Sequence, residues 1–221
     1  MLANIRKLPL FNSMRSFFKG AQTESRRWIV LDVETSGLHM DSDHLLAIAG
    51  VAVEVSADFK RISIVIGDSY EAVLKQTLPS NKDNILIHHI GAQAQSDGRF
   101  PEEVLEEFRQ WVGSCPLLAF HAAFDEGMIN KAYSSYGLKP LQNEWLDIEP
   151  LAKITGVNPR LRSLDDWLSY FGIECAIRHQ AASDTFATAE LLMRLWPYLS
   201  KEGNSWASLR DISRQVSWIP R

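Results

Sequence analysis

The residues WIVLDVE, Trp28 to Glu34, constrain this chain more than any other stretch. Four consecutive apolar residues lead into an acid, one more apolar residue and a second acid. The run is apolar on both faces and is expected to form a central strand of a sheet. Side chains at i and i+2 of a strand project from the same face. Asp32 and Glu34 are therefore expected side by side at the end of a buried strand, where two like charges repel. Any fold built around this strand must compensate for that repulsion.

The order of the remaining elements is that of an α/β domain. Strands are expected over His44–Val55, Arg61–Ile66 and Tyr70–Leu78, and a polar loop containing NKDN is expected after them. Pro101 and two glutamates open a helix with Val104, Leu105, Phe108, Trp111 and Val112 on one face. Pro116–His121 reads as a short buried strand and about Asp125–Tyr136 as a helix; WLDIEPLAKITG reads as irregular. Ser163 and Gly172 bound a further helix as N-cap and stop. A long helix over Ala181–Leu199 closes the domain, and the tail carries Trp206, Leu209 and Ile212 on one helical face. An antiparallel meander followed by alternating helix and strand implies a mixed central sheet flanked by helices. Residues 27–199 are expected to form that domain, with an extension over 1–26 and a tail over 200–221. The tail is expected either to pack back on the domain or, with the N-terminal extension, to serve as a partner surface.

With 27 Asp and Glu against 23 Lys and Arg, the chain lacks the large basic surface of a protein that coats nucleic acid. It has no apolar run long enough to span a bilayer, and its first twenty residues lack the apolar core of a signal peptide. Its two cysteines, Cys115 and Cys175, read as free thiols. These features point to the cytoplasm, with no membrane partner.

Two later helices repeat the oddity of the opening strand. Asp125 begins a stripe continued by Ile129, Ala132 and Tyr136; Asp184 begins one continued by Thr188, Leu191 and Leu195. Each acid occupies a position at which a core residue is expected. Four such carboxylates brought together would cost about 4 kcal/mol per pair at 4 Å and an effective dielectric near 20. Two Mg²⁺ or Mn²⁺ ions reverse that sign, because hard divalent cations favour oxygen ligands. On this reading Asp184→Asn relieves repulsion and stabilises the metal-free protein. His179, five residues before Asp184, is placed to take a proton near neutral pH.

The three acid-bearing segments, DVETSGL (Asp32–Leu38), FHAAFD (Phe120–Asp125) and RHQAASD (Arg178–Asp184), resemble the DEDDh, or DnaQ-like, 3′→5′ exonucleases. That group includes the proofreading epsilon subunit of bacterial replicative polymerase. The resemblance runs from about Arg27 to Leu199 and implies a ribonuclease H-like fold. It implies that Asp32, Glu34, Asp125 and Asp184 hold two Mg²⁺ or Mn²⁺ ions and that His179 is the general base. Thr35 and Leu38 match positions that contact the terminal nucleotide, and Phe124 matches a pocket-lining aromatic. The implied activity is removal of nucleoside 5′-monophosphates from 3′ ends of single-stranded or frayed DNA. The same motifs serve a nuclease that trims RNA 3′ ends, or a domain that has kept the fold as a binding module. The implied partner besides the nucleic acid is a polymerase or another replication or repair protein, reached through the terminal extensions. Three departures from the pattern stand out: Ala122 in place of an asparagine, Ala47 in place of a glutamate, and His89 in place of the glycine of IHGI.

Overall fold

The computed structural model of the protein describes residues 26–201 and 204–217. Five strands form one mixed sheet in the order β3-β2-β1-β4-β5. The strands are β1 (Arg26–Thr35), β2 (Leu45–Val55), β3 (Ile62–Val73), β4 (Leu117–Ala119) and β5 (Trp145–Asp147). β1 pairs antiparallel with β2, which pairs antiparallel with β3, while β4 and β5 run parallel to β1. The expected meander and mixed sheet are both present.

The alternation along β1 sorts the two faces. Trp28 and Val30 join one core with Val51, Val53, Leu191, Leu195 and Trp196. Ile29, Leu31 and Val33 join the other with Val104, Phe108, Ile129 and Tyr133. The first face is covered by α5 (Ile148–Ile154), α6 (Leu164–Phe171), α7 (Ala181–Leu199) and α8 (Trp206–Ser217). The second is covered by α3 (Pro101–Val112) and α4 (Ala122–Ser135). Two small helices, α1 (Lys82–His88) and α2 (Ala92–Ser96), connect β3 to α3.

Four expectations need correction. The two strands read at Arg61–Ile66 and Tyr70–Leu78 are one strand, β3. Ile66, Gly67 and Asp68 loop out between the pairs Ala52↔Val65 and Val51↔Ser69, and this bulge imitates a turn in the sequence. The NKDN segment is the start of α1, because the Asn81 side chain accepts from the backbone N–H of Asn84 and caps the helix. WLDIEPLAKITG is ordered as β5 and α5, and Asp147 serves as the N-cap of α5. On α4, Tyr136 caps the helix and is exposed, and Tyr133 takes the core position in its place.

α8 packs back on the domain. Trp206 lies edge-on to Trp28 at 4.8 Å between ring centroids, and Leu209 is fully buried. Ser213 Oγ accepts the N–H of Asp147 at 3.1 Å and so seals the outer edge of β5. The N-terminal extension before Arg26, and Trp218, lie outside the described residues. No helix among the described residues is long and apolar enough to cross a membrane.

Candidate active site

Asp32 and Glu34 share the β1 face on which Trp28 and Val30 pack, which is the face that α7 covers. Opposite them on β2 stand Ala49 and Ala47. Cross-strand partners share a face, so the two acids look across at two methyl groups. Ala47 and Ala49 pack against Ala181 in the first turn of α7, and Thr185 Oγ1 donates to the Ala49 carbonyl at 3.3 Å. These small residues let the helix start close to the sheet, and Asp184 follows one turn later. Carboxylate oxygens of Asp32, Glu34 and Asp184 lie within 4.8 Å of one another. An all-carboxylate set of this size suits a hard divalent cation.

Asp125 reaches the group from the other side of the sheet. β4 stops at Ala119, opposite the middle of β1, and the backbone turns at His121, whose φ of +68° lies in the left-handed region. α4 then begins, with Asp125 buried in its first turn. The backbone N–H groups of Asp125 itself and of Val33, just past the point where β4 ends, favour its charged form. Asp125 stands outside the compact set of three, yet among the carboxylates around Asp32 it raises that group's pKa most.

The charges in this group are unequally compensated. Asp184 has a partner on each oxygen: Arg178 Nη1 and, at 3.3 Å, Cys175 Sγ meet Oδ1, and the His179 backbone N–H meets Oδ2 at 2.9 Å. Glu34 meets Nδ1 of His88, the last residue of α1. Asp32 is surrounded by protein except at the open side of the site. Burial first, then Asp125 and Glu34, push its pKa well above the usual carboxylate range, and only the field of Arg178 opposes them. Asp125 is also pushed well up, chiefly by burial, with Asp147 and Glu34 adding to it.

His179 is exposed at the rim, one residue before the N-cap of α7, with φ +60°. Its ring lies edge-on to His88, 6.0 Å between centroids. Leu38 is 82% exposed at the tip of the loop after β1. Asp43 closes that loop by accepting from Ser36 Oγ at 3.0 Å and from the His39 N–H at 2.8 Å. α4 anchors it: Lys131 Nζ donates to the carbonyls of Asp41 and Asp43, and a Cβ at Gly127 would come within 2.5 Å of Met40 Sδ. Thr35 is buried, its hydroxyl donating to the Gly37 carbonyl and its own carbonyl accepting from Asn84 Nδ2 at 2.8 Å. Phe124 is half-buried against the core on the α4 side.

Three supporting residues escaped sequence reasoning. His88 lies in the segment noted for IHHI, but only the fold of α1 places it on Glu34. Arg178 is adjacent to His179 in sequence, and nothing in that adjacency predicts its contact with Asp184. Asp147 accepts the N–H of His121 and of Glu149, both at 3.0 Å, and so ties the start of α4 to the start of α5. The N-cap signal of Asp147 was readable; the tie to His121 was not.

The family model described as Exonuclease (RNase_T) matches residues 29–192. The DNA polymerase III PolC-type protein of Staphylococcus epidermidis is 30% identical over 179 residues, which is 80% of this chain and 12% of that protein. Its Staphylococcus haemolyticus counterpart is 29% identical over 193 residues, 86% of this chain and again 12% of the relative. The chain thus spans about an eighth of the length of these relatives. Among solved structures, exonuclease X in complex with 5′-overhanging duplex DNA superposes with a TM-score of 0.61 at 21% identity, over 84% of this chain and 99% of that one. Escherichia coli exonuclease I in complex with a dA16 oligonucleotide gives 0.61 at 19%, over 79% and 43%. These two likenesses are likenesses of fold. The match to the family model, spanning most of the chain and all three acid motifs, places this protein in the exonuclease family, in its DEDDh group.

Proposed function

We propose that the protein removes nucleoside 5′-monophosphates one at a time from 3′ ends of single-stranded or frayed DNA, using Asp32, Glu34, Asp125 and Asp184 to hold two Mg²⁺ or Mn²⁺ ions. The observation that carries this reading is the convergence of buried carboxylates from β1 and α7 beneath an exposed histidine. Carboxylates that repel in the metal-free protein are what a pair of dications would bind. Such ions activate water and stabilise the charge of a displaced oxygen.

The chain's own groups do the rest. His179, on a fixed left-handed turn at the rim, accepts the proton lost by the attacking water. The phosphorus–O3′ bond breaks, the terminal nucleotide leaves with its 5′-phosphate and the shortened strand keeps a 3′-hydroxyl. Leu38, held out on an anchored loop, packs on the terminal base, and Phe124 lines the pocket. Such apolar contacts accept any base, which suits cutting without sequence preference. Thr35 contributes by holding the turn that presents Leu38, through its bond to Gly37. DNA is favoured as substrate because the exonuclease I and exonuclease X structures of the same fold are complexes with DNA. A polymerase is the favoured protein partner because the relatives are polymerase chains. The described part of the tail is committed to the domain through Trp206 and Leu209, so the docking role falls to the N-terminal extension.

Matched single-stranded DNA and RNA oligonucleotides, labelled at either end, test this reading with Mg²⁺ and then Mn²⁺. The expected result is a ladder shortening from the 3′ end of 5′-labelled DNA, immediate release of the label from the 3′ end, and slower attack on RNA. Internal cuts, or faster loss of RNA, overturn it.

A further inference from the structure

Arg178 makes two ion pairs. Nη1 is on Oδ1 of Asp184, which is buried, and Nε is on Oδ1 of Asp165 at 2.7 Å, in the exposed first turn of α6. The guanidinium itself is about one-third exposed. One of its carboxylates belongs to the compact acid set and the other does not. Asp184 Oδ2 is taken by the His179 backbone N–H and Oδ1 by Arg178 and Cys175. A dication entering the acid set therefore competes with Arg178 for Oδ1, and the contact of Oδ2 with the His179 backbone N–H survives the exchange.

We propose that Arg178 is a built-in counter-cation for the metal centre: it neutralises Asp184 before loading, is displaced from Oδ1 by the incoming dication, and withdraws onto Asp165. The guanidinium sets how much metal the enzyme needs, and it keeps the metal-free site folded. The planar fork allows this, since one edge can stay on Asp165 while the other lets go. A lysine at 178 presents a single point charge and cannot hold both carboxylates in this way. Removing Arg178 has opposite effects on the two states of the protein. The metal-free form loses the partner of a buried carboxylate and is destabilised. The metal-bound form loses a competitor and binds its ion more tightly.

This inference rests on the acid set being a metal site, and the test separates the two. Mg²⁺ and Mn²⁺ are titrated calorimetrically into wild-type protein, Arg178→Gln, and Arg162→Gln as a control for removing an exposed cation beside α6, the helix that carries Asp165. Melting temperatures are measured in chelator and at saturating metal. The expected result for Arg178→Gln is a dissociation constant lower by about 3–10-fold, a lower melting temperature in chelator and an unchanged one at saturating metal. Arg162→Gln changes the dissociation constant by less than about 2-fold. Absence of metal binding to the wild type overturns the metal reading and this inference with it. Metal binding by the wild type with unchanged or weaker binding by Arg178→Gln overturns the inference alone. So does an equal tightening in Arg162→Gln, or an equal loss of melting temperature in both conditions.

Discussion

The two ends of β1 handle charge in opposite ways. At its start, Arg27 points its guanidinium at Asp68, with Nε–Oδ2 at 2.6 Å and Nη2–Oδ1 at 2.8 Å. Trp111 donates to the same carboxylate at 2.8 Å, and its ring lies under the guanidinium, 5.1 Å away. The pKa values move apart, Arg27 up and Asp68 down, chiefly through their mutual hydrogen bonds. Both shifts favour the charged forms and therefore the fold. At the other end of the strand, Asp32 and Asp125 shift upward, which disfavours the charged forms. One end of the strand uses charge to hold the fold together; the other keeps uncompensated charge at the expense of stability. Upward shifts of buried carboxylates are the pattern expected of an end shaped by function, and that is the end to which the proposed site belongs.

The largest expected effects come from the uncompensated end. Asp32→Asn should reduce turnover by at least about 10⁴-fold, beyond what loss of a general base alone removes, and should raise the melting temperature in chelator. The sequence-based expectation assigned that stabilisation to Asp184→Asn. Asp184 has Arg178 as counter-ion, so neutralising it breaks an ion pair; Asp32 is the residue that relieves repulsion. A lower melting temperature for Asp32→Asn in chelator would mean that the carboxylates do not strain the site. His179→Ala should cut turnover by about 10²–10⁴-fold and leave metal binding by calorimetry within about 2-fold, since its backbone N–H and not its ring contacts Asp184. Near-normal turnover removes the ring from the reaction.

The acids of the site were legible because their placement is backbone geometry. The period of two on β1 pairs Asp32 with Glu34, and the period of 3.6 puts Asp125 and Asp184 at the heads of buried stripes. The three-layer fold followed from the same periodicities. The misread segments are those in which local chemistry and local period disagree. NKDN has the composition of a loop and acts as cap and first turn of α1. Gly67-Asp68-Ser69 has the composition of a turn, yet Gly67 and Asp68 lie in the bulge of a single strand and Ser69 is already paired with Val51. β5 has three residues, too few to show a period. What could not be read was which partners meet: Arg178 on Asp184, His88 beside Glu34 and Asp147 on His121 bring together residues from different elements or different arms of a loop. No local pattern records which of several nearby cations or histidines reaches an acid.

The compensated end supplies a smaller effect. Asp68→Asn removes the charge that holds Arg27 and weakens the Trp111 contact, at a cost of about 1.5–3 kcal/mol. Chemical denaturation should show the loss equally with chelator and with metal, because the pair is on the far end of the strand. Turnover at saturating metal should stay within about 2-fold of wild type. A metal-dependent loss would couple the two ends and erase the contrast between them.

The smallest effect is a pH dependence of opposite sign at the two ends. Asp32, Asp125 and Asp147 are all held above the usual carboxylate range, with burial the first cause in each. A carboxylate raised in the folded state contributes stability that is fully present below its unfolded pKa of about 4 and is lost as pH rises through its folded value. Asp68 is lowered by Arg27 and Asp43 by the His39 N–H, so their contribution is present above that range and is lost only as pH falls below it. Between about pH 4.5 and 7 the raised group therefore governs, and the melting temperature in chelator should fall as pH rises. Saturating Mg²⁺ should flatten or reverse that slope, because the ion binds only the ionised acids and its binding releases their protons. Asp32→Asn should flatten the slope in chelator, whereas Asp68→Asn should leave it unchanged over this window. A melting temperature that climbs with pH in chelator would show that the acid-bearing end of the strand is compensated as fully as its start.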